Sequence, residues 1–110
     1  MTRSPSLSTR TQTTLHIFAS MIRAARLERK MPQQELAERL GVSRQTVSAI
    51  EKGDAKVAIG TVFEAAAIVG IPLLAESTRD LQRLSTTVAG LASLLPERAR
   101  SANVELDDDF

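Results

Sequence analysis

The twenty residues QQELAERLGVSRQTVSAIEK, Gln33 to Lys52, hold the side chains of this chain best suited to recognising another molecule. Leu36, Leu40, Val47 and Ile50 recur at helical spacing on either side of Gly41, which predicts two short helices that each bury one face and meet through a tight turn. With those faces inward, Arg44, Gln45, Ser48 and Ala49 stand together on the outer face of the second helix. Such a face suits the edges of bases. Arg44 can make a paired hydrogen bond to guanine O6 and N7 and Gln45 one to adenine N6 and N7, each discriminating by about 1 to 3 kcal/mol. Ala49 is small enough to let the helix approach a thymine methyl. Gln33, Ser43, Thr46 and Lys52 lie near helix ends, where polar side chains and backbone N–H groups hold phosphates and fix register without selecting sequence.

Other chemistries find no constellation. The chain has no cysteine, which removes a disulfide scaffold, a thiolate metal site and a cysteine nucleophile, and makes a reducing cytoplasm the natural setting. His16 is the single histidine and falls inside a helical pattern, and there is neither a glycine-rich phosphate loop nor a pair of carboxylates in a plausible pocket. No enzyme, metal site or cofactor is expected.

Charge divides the chain. Residues 1–56 carry ten Lys or Arg against five Asp or Glu, and residues 57–110 carry four against eight. A basic front half gives a polyanion the sequence-independent attraction that a groove-docked helix needs first. The acidic back half suggests a separate surface for something else.

At 110 residues the chain has room for one small domain with an arm or tail. Residues 1–14 contain eight Ser or Thr and no periodicity, and read as a flexible arm without the apolar core of a secretory signal. Leu15, Phe18, Ile22 and Ala25 then predict a first helix to about Lys30. Pro32 stands where a second helix can begin, Gly41 ends it, and Ser43 is a good N-cap for a third helix from Arg44 to Lys52. Val62, Phe63, Ala66 and Ile68 predict a fourth helix over 59–69 that stops at Gly70, and a short helix at Pro72 to Glu76 is expected to follow. The apolar run from Ala65 to Ala75 is too short to span a bilayer and reads as core, so no membrane association is expected. Residues 15–76 form the expected helix-turn-helix domain, and strands are absent apart from a weak candidate at Asn103 to Leu106.

The remainder, 77–110, reads as a C-terminal helix and an acidic tail. Ser77 and Asp80 are spaced like a capping box ahead of Leu81, Leu84, Val88, Leu91 and Leu95, a two-heptad stripe closed by Pro96. One recognition helix covers only a few base pairs, so a dimer reading half-sites about 34 Å apart is expected. The stripe, with Phe63 and Ile71 beside it, is a candidate dimer surface; it could equally fold back over its own domain. Val104, Glu105, Leu106, the aspartates 107 to 109 and Phe110 form an apolar anchor beside a charge cluster, suited either to a basic partner groove or to plain solvation.

The stretch from Ile22 to Leu74 resembles the Cro/C1-type (XRE) helix-turn-helix family. That resemblance implies an all-α, compact, lambda-repressor-like DNA-binding domain of four to five helices. It also implies that Gln33, Ser43, Arg44, Gln45 and Lys52 contact DNA, and that Arg26 and Glu51 form a partly buried ion pair between the first and recognition helices. Pro32 departs from the family, whose members carry a Ser or Thr cap there. The short segment from Leu95 to Phe110 makes the chain similar to HipB-type antitoxins, which implies a dimeric autorepressor on a palindromic operator and a HipA-type kinase toxin as partner. A stand-alone or phage-type repressor and a protein-interaction module without DNA affinity are the alternatives.

Overall fold

A computed structural model describes residues 6–96, and among them there are five helices and no strand. The chain divides into two units, Met1–Leu73 and Leu74–Phe110.

In the first unit, α1 runs Thr9–Glu28, six residues earlier than the apolar pattern predicts. Over residues 9–14 this corrects the expected arm, and the cause is local. Ser8 is an extended N-cap whose hydroxyl accepts from Thr11 N–H at 3.1 Å, Gln12 Nε2 donates to the Leu7 carbonyl at 3.0 Å, and the Thr14 hydroxyl donates to the Arg10 carbonyl at 2.9 Å. Polar residues can start a helix without a buried face when the cap satisfies its free N–H groups. The other end closes at Glu28 with Lys30 in the left-handed region, φ 54°. The Met31 N–H bonds the Arg26 carbonyl and the Lys30 N–H bonds that of Leu27, a Schellman ending in which lysine occupies the position that glycine usually takes.

Helix α2, Gln33–Leu40, begins on Pro32, which donates no side-chain cap but lends its carbonyl to the N–H groups of Glu35 and Leu36. The missing family cap therefore leaves the start of the helix where the sequence puts it. Gly41, at φ 72°, turns the chain through Val42 and Ser43 into α3, Arg44–Lys52. Ser43 accepts from Thr46 N–H at 3.1 Å, and Gly53, at φ 78°, ends the helix. Helix α4, Ile59–Ile68, follows a turn and closes with Gly70 at φ 85°.

Ile22, Met31, Leu36, Ala37, Val47, Ile50, Ala65, Ala66 and Val69 form the core, with Phe18, Leu40, Val42 and Val62 packed around it. Helix α3 packs against α1 and α2, and α2 against α4. Ala37 is fully enclosed, as expected where two helices approach closely. Phe63, one of the residues whose pattern predicts α4 and named beside the candidate dimer stripe, is 47% exposed. Adjacent Val62 and Phe63 point about 100° apart on a helix, and Val62 takes the inward place. The short helix expected at 72–76 does not form: those residues are irregular, with Leu74 left-handed at φ 67°. Within the apolar run, Ala65, Ala66 and Val69 are core while Ala67 and Leu74 face outward.

In the second unit, α5 runs Thr78–Ser93. Ser77 caps it by accepting from Asp80 N–H at 3.1 Å, with Asp80 in the first turn where a carboxylate favours the positive helix end. None of its residues is buried. Leu84 is half-buried, and Leu81, Val88, Leu91, Leu94 and Leu95 are exposed. The candidate strand at 103–106, the acidic tail and Phe110 lie outside the described residues. No described helix is long and apolar enough to cross a membrane.

Candidate nucleic-acid interface

Helix α3 presents its outer face because its inner one is occupied: Val47 and Ile50 enter the core, and Glu51 is drawn into a buried ion pair with Arg26. The pair is bidentate, with Arg26 Nε donating to Glu51 Oε2 at 2.5 Å and Nη2 to Oε1 at 3.0 Å. Arg26 Nη1 also donates to the Met31 carbonyl at 2.7 Å. Charges taken out of water need such full pairing, and no described buried side-chain polar atom lacks a partner. The pair ties α1 to the end of α3 and sets the angle at which the outer face is shown.

The network continues to the surface. Gln33, half-buried at the start of α2, donates from Nε2 to Glu51 Oε1 at 3.2 Å and accepts at Oε1 from Arg44 Nη1 at 3.4 Å. Gln33 was read from the sequence as a helix-end residue; its position bridges the buried pair and the first residue of α3. Held in this way, the Arg44 guanidinium keeps free donors for a further partner.

Ser43 caps α3 by accepting at its hydroxyl oxygen, which is also 3.1 Å from the Thr46 hydroxyl. Gln45 and Lys52 are exposed, and Thr46, Ser48 and Ala49 are half-buried. Two shallow grooves flank the helix. One, of about 540 Å³, is lined by Gln45, Ser48, Ala49, Lys52, Gly53, Asp54 and His16. The other, of about 340 Å³, is lined by Val42, Gln45, Thr46, Ala49, Lys56, Val57, Ala58 and Thr61. Gln45 and Ala49 border both, so they form the crest of a ridge with Lys52 on one side and Lys56 on the other. The structure thus brings the sequence-chosen residues 33, 43–46, 48, 49 and 52 onto one helix pair.

His16 and Lys56 were not picked out from the sequence. Lys56 carried a usable signal, a cation in the turn just after the recognition helix. His16 carried none, because its place beside α3 depends on how α1 packs. Among the described residues no group of histidines and carboxylates is placed to hold a metal ion.

Residues 22–75 match the helix-turn-helix family model, a span that takes in α2, α3, α4 and the Arg26–Glu51 pair. The chain is 39% identical over 57 residues to the cryptic phage CTXphi transcriptional repressor RstR of Vibrio cholerae, covering 52% of this chain and 51% of that protein. It is 56% identical over 34 residues to an uncharacterized HTH-type transcriptional regulator of Methanothermobacter thermautotrophicus, covering 31% of this chain and 49% of that protein. The chain spans about half the length of the curated relatives it matches. No solved structure matches significantly. Among the described residues the fold is all-α, and α2, α3 and α4 lie within the span that matches the helix-turn-helix model.

Proposed function

We propose that this protein is a sequence-specific transcriptional repressor that docks α3 in the major groove of double-stranded DNA. One observation carries the reading: on a helix capped at both ends and anchored by Val47, Ile50 and Glu51, the side chains left outward are an arginine, a glutamine and small residues. Arg44 and Gln45 read base edges, and Ser48 and Ala49 let the helix approach. Gln33, Ser43, Thr46 and Lys52 hold phosphates along the ridge. Similarity to a phage transcriptional repressor supports repression as the outcome of binding.

The test is a selection of bound duplexes from a random-sequence library, followed by band shifts. The wild-type protein enriches a defined site. Arg44→Ala loses roughly 10- to 100-fold on that site while keeping its affinity for unrelated duplex, as expected for loss of a paired base contact. Unchanged site preference in Arg44→Ala removes that residue from the reading face.

A palindromic site requires a dimer, and the α5 stripe of Leu81, Leu84, Val88, Leu91 and Leu95 is the surface assigned to it here. Its support is that Leu81, Val88, Leu91 and Leu95 are exposed, with Leu84 half-buried between them. The finer expectation from the sequence is a cytoplasmic HipB-like antitoxin with a HipA-type kinase partner. It leans on the tail through Phe110, outside the described residues, whereas the phage relative favours a stand-alone repressor. Co-purification with a kinase-like protein from the native operon supports the antitoxin reading; elution alone with DNA binding intact supports the free repressor.

A further inference from the structure

The groove on one side of α3 is lined in part by a residue that lies outside the helix-turn-helix stretch. His16 belongs to the part of α1 preceding residues 22–75, yet it lines the same groove as Gln45, Ser48, Ala49 and Lys52. Two features of the fold put it there. The Ser8 cap starts α1 at Thr9, so that His16 stands two turns inside a formed helix. Gly53, at the end of α3, allows close approach: a Cβ there would sit 2.8 Å from His16 Cδ2 and 3.3 Å from the Leu15 carbonyl oxygen. The imidazole therefore crosses the end of α3 over a residue without a side chain, exposed and beside Lys52.

A helix lying in the major groove has a phosphate backbone along each flank. On one side of the α3 ridge, in the groove that reaches Thr61 of α4, Thr46 and the cation Lys56 face one strand. On the other side the groove offers Lys52 and His16 as donors. Asp54 lines the same groove, and its Oδ1 already accepts from the Lys56 N–H at 2.9 Å.

We propose that His16 is a DNA-backbone contact: an imidazole N–H donates to a phosphate oxygen on the strand passing the C-terminal end of α3, next to the phosphate held by Lys52. The inference rests on the major-groove reading above and adds to it a contact from α1. The contact positions the protein on any duplex and selects no sequence, so its loss weakens specific and non-specific binding alike.

The experiment uses the full chain, the duplex enriched by the wild-type protein and an unrelated duplex of equal length, with band shifts at two salt concentrations. His16→Ala is expected to lower affinity by roughly five- to tenfold on both duplexes, with the melting temperature unchanged, because the ring is exposed. His16→Gln, which keeps an N–H donor of similar reach, restores most of it. Lys52→Ala lowers the salt slope by about one. Replacing single phosphates by uncharged methylphosphonates identifies one position that weakens the wild type and leaves His16→Ala unaffected.

Equal affinity of His16→Ala and wild type on both duplexes overturns the contact while leaving the reading of Arg44 and Gln45 in place. A loss confined to the selected duplex overturns it as well, since that marks base readout. Failure of the wild type to bind either duplex defeats the major-groove reading itself, and the proposal falls with it.

Discussion

Helices α3 and α5 are written in the same way, with a serine cap, an acceptor bond to the N–H three residues on and a regular apolar stripe, yet α3 buries Val47, Ile50 and Glu51 while α5 buries nothing. Caps and periodicity decide that a stretch becomes helical, because they satisfy the free N–H groups and place the apolar side chains on one face. They do not supply what that face packs against. For α3 the opposing surface comes from α1 and α2 within the same unit. For α5 the exposed leucines are the surface we assign to a second copy of the chain.

The largest effect expected from breaking this comparison is at the ion pair beneath α3. Glu51→Ala leaves the Arg26 guanidinium buried without its carboxylate and removes the acceptor used by Gln33. A loss of about 3 to 5 kcal/mol in denaturant unfolding is expected. A loss below about 1 kcal/mol would mean that water reaches Arg26 and that the pair does not hold α3.

Matched truncations in the two units come next. Leu36→Ala, in the closed core, is expected to cost about 2 to 5 kcal/mol. Leu91→Ala, 61% exposed on α5, is expected to cost less than about 0.5 kcal/mol at concentrations where the chain is monomeric, and to weaken self-association in sedimentation equilibrium. Equal costs at high dilution would show that α5 is packed within its own chain.

The caps sharpen the same contrast. Ser43→Ala and Ser77→Ala each remove one acceptor from a helix N-terminus, worth typically about 1 kcal/mol. Ser43→Ala is expected to lower the global melting temperature because α3 is part of the core, whereas Ser77→Ala is expected to reduce circular-dichroism helicity with little shift in the main transition. A common shift for both variants would show that the units melt as one.

The smallest effect is a gain. Lys30 holds φ 54° at the end of α1, where a side chain is strained and glycine is not. Lys30→Gly is expected to raise stability by about 0.5 to 1 kcal/mol in thermal unfolding. No gain would indicate that the lysine side chain offsets its backbone strain by a contact of its own.

Much of the site was legible because its constraints are local. Gly41 and Gly53 mark the left-handed ends of α2 and α3, Ser43 marks the cap, and the spacing of Leu36, Val47 and Ile50 leaves Arg44, Gln45 and Ala49 outward by subtraction. The Arg26–Glu51 pair was reached through family resemblance; nothing in the spacing of two residues twenty-five apart announces it. The start of α1 was misplaced because an apolar stripe marks where a helix is buried, and Thr9 to Thr14 are helical without being buried. The expected short helix after Gly70 failed for the complementary reason: an apolar composition at 72–76 was not matched by a cap or a turn of backbone that would start it.

By itself the sequence determined α2, α3 and α5, the serine caps of α3 and α5 and the residues facing outward on α3, since each follows from hydrogen bonds and side-chain directions within a few residues. The tertiary structure alone decided the route from Arg26 through Glu51 and Gln33 to Arg44, the place of His16 in the groove beside α3, and the burial of the inner face of α3. Each of these depends on which surfaces meet across the core, and that is set by packing between elements distant in the chain.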